Sequence, residues 1–98
     1  MEKTIIKTEN APAPIGPYSQ AVQVAGLLFI SGQVAINPKT GNMEMASIEA
    51  ETEQVMKNLE AVLTTAGRQF GDVVKTTIFL SDMALFGKVN EIYGKYFT

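Results

Sequence analysis

The sequence predicts a single α+β domain over residues 1–98, with two helices packed on one face of a mixed sheet. Three observations carry that reading. Short β-forming runs and helical runs follow in the order strand, hairpin, helix, strand, helix. Both helical segments carry an apolar stripe at the ~3.6-residue period of an amphipathic helix. A length of 98 residues leaves no room for a second domain, since autonomous domains commonly run to ~100 to 150 residues.

Thr4, Ile5 and Ile6 are β-formers and read as a first strand. The next segment carries Pro12, Pro14 and Pro17, which fix φ and remove donors, so it is an extended loop with Tyr18 at its end. The β-formers at 21–24 and 27–30 flank Ala25-Gly26 at the spacing of a two-residue hairpin turn. The second of these strands is expected to run on through Ser31-Gly32-Gln33-Val34-Ala35, with Gly32 marking a bulge or a close approach. The turn formers Asn37-Pro38-Lys39-Thr40-Gly41-Asn42 end it.

Ile48, Val55, Leu59, Val62, Leu63 and Ala66 share one helical face. Glu49 and Glu51 complement the dipole at its start and Gly67 stops it, so a helix spans 47–66. Residues 73–80 are strongly β-forming and predict another strand. Ser81 or Asp82 then caps a second helix, striped by Leu85, Phe86, Val89, Ile92, Tyr93, Tyr96 and Phe97. A helix that follows a strand normally returns the chain to its sheet, so the pattern calls for one or two further strands beyond Thr98.

Composition narrows the chemistry. The sequence has neither cysteine nor histidine, which removes disulfides, thiolate nucleophiles, the commonest metal ligand and the usual general base. Any reaction must run on hydroxyls, amides, carboxylates, lysines and backbone groups. A net charge of −2 and a pI near 5.0, with lysines scattered singly, disfavour nucleic acid as a partner. No apolar run approaches the ~20 residues of a membrane span, so a soluble cytoplasmic protein is the expectation. A hydrophobic content of 46% is more than so short a chain easily buries alone, which points to an oligomer.

Three sequence blocks stand out: Ile15-Gly16-Pro17-Tyr18-Ser19-Gln20-Ala21, Ile30-Ser31-Gly32-Gln33 and Val89-Asn90-Glu91-Ile92-Tyr93-Gly94-Lys95-Tyr96-Phe97. Together with the Asn-Pro-Lys-Thr-Gly turn and Asp72-Val73-Val74-Lys75-Thr76-Thr77, in this order, they resemble the RidA family, also called YjgF, over essentially the whole chain. The resemblance implies a chorismate-mutase-like fold assembled as a homotrimer, with clefts between subunits. It also implies cofactor-independent hydrolytic deamination of enamines and imines, such as 2-iminopropanoate and 2-iminobutanoate, to 2-keto acids and ammonia, without a metal. In similar proteins an arginine on the strand after the second helix holds the substrate carboxylate, and a glutamate on the last strand positions water. Neither has a counterpart here, because Arg68 sits just past the first helix in a different motif.

By that resemblance the site residues are Tyr18, Ser31, Gly32 and Asn90. Each also has a plainer reading. Tyr18 on a proline-rich loop can cover a sheet edge, and Ser31-Gly32 can be a strand bulge alone. Asn90 falls within the apolar stripe between Phe86, Tyr93 and Phe97, so it is either a locally satisfied buried amide or a pocket group. Lys75 and Lys88 are read as solvated, not as Schiff-base nucleophiles. The competing functional reading is a non-catalytic trimeric protein that binds 2-keto acids in the same cleft, possessing a regulatory or chaperone-like role. A ribonuclease or translation inhibitor, an older description of the family, finds no support in an acidic chain without a basic groove.

Overall fold

The computed structural model describes residues 3–13, 19–43, 46–76, 78 and 83–97. Among these, β1 (Lys3–Ile6), β2 (Ala21–Val24) and β3 (Leu27–Ile30) form an antiparallel sheet in the order β1-β2-β3. The turn between β2 and β3 is set by Ala25 and Gly26, both at positive φ (51° and 80°), which matches the twist a two-residue hairpin needs. Register places Ile6, Ala21 and Ile30 in one cross-strand row, and Ile5, Val22 and Phe29 in the next. Successive rows face opposite sides of a sheet. The first row meets α1 (Ile48–Thr65), where Ile6, Ala11, Ala21 and Val62 form the core with Leu28 and Ile30 packed against it. The second row faces outward, with Ile5 and Phe29 51% and 59% exposed.

Helix α1 begins and ends as its sequence dictates. Ser47 Oγ accepts from the Ala50 N–H at 3.0 Å, and Glu49 and Glu51 lie in the first turn. At the other end Gly67, at φ 74°, lets its own N–H reach Thr64 O and the Arg68 N–H reach Leu63 O, closing a Schellman motif. Helix α2 (Phe86–Tyr96) packs along α1 and buries Val89 and Ile92. A short 3₁₀ turn, Met83–Leu85, precedes it, and Leu85 starts the helix without a side-chain cap. The expected caps Ser81 and Asp82 lie outside the described residues. No helix among the described residues is long and apolar enough to cross a membrane.

Two expected strand segments are corrected. β3 ends at Ile30 instead of running on to Ala35: beyond it Ser31 donates only to the carbonyl of Gln20, and the carbonyls of Val34 and Ile36 bond a side chain of α1. Residues 73–76 join no ladder among the described residues, and the three described strands pair antiparallel. Strand-forming residues become a strand only beside a partner edge, and propensity cannot supply one. The remainder of the predicted 73–80 strand is largely outside the described residues. The 37–42 turn forms as expected: Asn37 receives the N–H of Gly41 at 2.8 Å, and a lone bridge pairs Ile36 with Met43.

Candidate functional site

The strap that follows edge strand β3 carries two of the predicted residues. Ser31 is bonded twice to one acceptor, since its N–H and its Oγ each donate to Gln20 O at 3.0 Å. That carbonyl lies just ahead of β2, two residues after Tyr18 in the chain. Gly32 is exposed, nothing stands within 4 Å of where its Cβ would be, and its N–H has no acceptor among the described residues. The strap thus presents a free backbone donor beside a hydroxyl whose proton is already engaged. With its hydrogen on Gln20, Ser31 Oγ offers lone pairs to a ligand.

Two buried carboxamides brace this strap, and neither was among the predicted site residues. Gln20 is 4% exposed; its Oε1 accepts from the Thr8 N–H at 2.6 Å, and its Nε2 donates to the carbonyls of Thr8, Ala11 and Pro12 at 3.0, 3.2 and 2.9 Å. Asn58 of α1 is fully buried; its Nδ2 donates to Val34 O at 2.9 Å and Ile36 O at 3.0 Å, while its Oδ1 accepts from Gln54 at 2.8 Å. A signal for each was present. Three prolines strip donors from the 12–17 loop and leave its carbonyls seeking partners, and Asn58 interrupts the stripe of Val55 and Val62.

Asn90 departs from expectation. It is exposed on α2, sharing with Phe86, four residues earlier and 51% exposed, a flank that α1 leaves uncovered. The helix turns Val89 and Ile92 inward and Phe97 stacks on Tyr93, so the expected stripe is too wide only on the Phe86 side. Asn90 is therefore no buried, locally satisfied amide. Tyr18 lies outside the described residues. The structure unites Ser31 and Gly32 and leaves Asn90 on a separate element.

Charged groups sit elsewhere. The Arg68 guanidinium donates to Gly26 O at 3.4 Å, at the turn end of the hairpin opposite Ser31. The four residues of β3 separate Gly26 from Ser31, and the five steps between them span roughly 16 Å at the rise of a strand. An open cavity of about 670 Å³ beside Arg68 is lined by Glu60, Gln69, Phe70, Tyr96 and Phe97 among others, and includes none of the predicted site residues. Lys75 and Lys88 are exposed as expected, and Lys88 pairs with Glu49 at 3.8 Å. No cluster of acidic side chains among the described residues could hold a metal ion.

A sheet covered on one face by helices, with a serine-glycine strap leaving its edge strand, is the α+β architecture termed chorismate-mutase-like. The family model described as Endoribonuclease L-PSP matches residues 8–98, and the chain belongs to that family, known also as RidA or YjgF. It is 50% identical over 95 residues to a RutC family protein of Pyrococcus horikoshii, covering 97% of this chain and 75% of that one. It is likewise 50% identical over 95 residues to the mouse protein named 2-iminobutanoate/2-iminopropanoate deaminase, covering 97% of this chain and 70% of the relative. The crystal structure of the Rid family protein YyfA of Yersinia pestis superposes with a TM-score of 0.96 at 48% identity, covering 99% of this chain and 77% of the other. Deaminase activity is thus a property of named members of this family.

Proposed function

We propose that this chain provides a cofactor-independent site for hydrolytic deamination of small 2-imino acids. The observation that carries the reading is the strap itself: a free Gly32 N–H beside a Ser31 oxygen with lone pairs to give. In the reaction, water adds to C2 of the imine, a proton passes to nitrogen, and the C–N bond breaks to leave a 2-keto acid and ammonia. Ser31 Oγ accepts from the imine N–H, the Gly32 N–H donates to a substrate oxygen, and Asn90 and Tyr18 complete the cleft. Orientation and fixed dipoles suffice for so activated an electrophile, which suits a sequence without histidine or cysteine.

The substrate carboxylate needs donors too, and Arg68 is held roughly 16 Å away along the strand. That held arginine favours a second reading, in which the cleft binds 2-keto acids without turnover. A homotrimer is proposed for either, because the outward row of Ile5, Val22 and Phe29 leaves an apolar sheet face to cover.

The test measures decay of 2-iminobutanoate, generated in place by a threonine dehydratase, with this chain and with the mouse relative. Protein-dependent ammonia release supports deamination. Binding of 2-oxobutanoate without any turnover supports the second reading, and cleavage of single-stranded RNA with neither would overturn both.

A further inference from the structure

A glycine donor on an exposed strap is useful only if something aims it. Gly32 touches no neighbour at its Cα side and carries the widest backbone freedom of any residue. Yet the chain is pinned immediately before and shortly after it. Before it, Ser31 is bonded twice to Gln20 O, and Gln20 is itself locked by its buried carboxamide to the 8–12 loop. After it, Asn58 holds Val34 O and Ile36 O with its two N–H groups, and Gln54 fixes which way that amide points. Between the anchors, Gln33 Nε2 donates back to Ser31 O at 3.1 Å.

We propose that Gln20 and Asn58 are positioning residues of this site, two buried carboxamides that clamp the strap from opposite ends and so aim the Gly32 N–H. The proposal deepens the deaminase reading and rests on it for its kinetic arm alone. Ser31 and Val34 are three residues apart, at most roughly 10 Å of extended chain, so fixing both leaves little slack for the peptide between them. Each anchor reaches into a different body of the protein, one into the proline-rich loop and the other into α1. The strap therefore inherits the rigidity of the core, to which it adds the buried Ala35.

The test uses the whole 98-residue chain with Gln20→Met, Asn58→Leu and, as a destabilised control, Thr52→Val, whose hydroxyl bonds only Ile48 O in its own helix. Each is assayed at a temperature where circular dichroism shows it folded. The readouts are kcat and KM for 2-iminobutanoate, and the ¹⁵N amide signal of Gly32 with and without 2-oxobutanoate. A misaimed donor should lower kcat per folded molecule by about 10-fold or more and broaden or multiply the Gly32 signal in both clamp variants, with Thr52→Val unchanged in both respects. Should Asn58→Leu not fold, Asn58→Ser, which keeps one donor, carries the same expectation. Loss of stability with kcat and the Gly32 signal intact would overturn the proposal and reduce both residues to structural roles. If the unmodified chain hydrolyses no imine, the deaminase reading falls by itself. The Gly32 signal then decides alone, broadening in the variants supporting the clamp and an unchanged signal overturning it.

Discussion

The phenol of Tyr96 on α2 donates to Oε2 of Glu53 on α1 at 2.6 Å, a bond that ties the two helices together. Donation to that carboxylate, with burial and the negative charges of Glu53 and Glu60 adding to it, pushes the Tyr96 pKa up from 10.0 to about 12. The folded protein thus keeps the phenol neutral to higher pH than the unfolded chain does. The stability this contributes is complete below pH 10 and is lost as pH rises from there through about 12. Urea midpoints of the unmodified chain should fall across that window, and the fall should be smaller in Tyr96→Phe. Parallel curves for the two proteins would show that the bond does not form in solution.

Asn90 separates function from stability. Its exposure on α2 means that Asn90→Ala should change unfolding free energy by no more than about 0.5 kcal/mol. If Asn90 reaches the substrate as proposed, imine turnover should nonetheless drop roughly 100-fold, the low end of the effect of removing a preorganised donor. Unchanged kcat/KM would remove Asn90 from the site.

The outward sheet face can be tested by charge. Phe29 stands 59% exposed at the edge strand, in register with Val22 and Ile5. Placing a carboxylate there with Phe29→Glu should convert a trimer to smaller species by light scattering, since an unpaired charge in an apolar interface is poorly tolerated. A trimer that survives the change is assembled through some other surface.

Helix α1 offers two local checks. Ser47→Ala removes the side-chain acceptor of the Ala50 N–H and should cost about 1 kcal/mol. Gly67→Ala forces a Cβ into the left-handed region at φ 74° and should cost about 1 kcal/mol as well. Chemical denaturation of both variants measures these values directly.

Much of this was legible in the sequence, and the misses have physical causes. The hairpin was fixed by Ala25-Gly26 between β-formers, and α1 by its stripe, its serine cap and its glycine stop. Those are local signals, complete within a few residues. The path after β3 was not local: the carbonyls of Val34 and Ile36 bond Asn58, 24 and 22 residues away. The rule that an amide inside an apolar stripe must be satisfied applies to Asn58, where the sequence reading had applied it to Asn90. Periodicity marks a face of a helix but not how wide a strip its neighbour covers. Gln20 is harder to read, because its partners are backbone carbonyls and only the donor-poor proline segment hints at them.

The hairpin turn has a further consequence. Ala25 occupies a left-handed conformation at φ 51° that carries a penalty of about 1 kcal/mol for a residue with a Cβ, and asparagine or glycine relieves it. The turn lies at the end of the hairpin opposite Ser31. A single exchange, Ala25→Asn, therefore opens a margin of robustness that an engineer could draw on before making the damaging substitutions proposed for the strap, leaving the chemistry itself untouched.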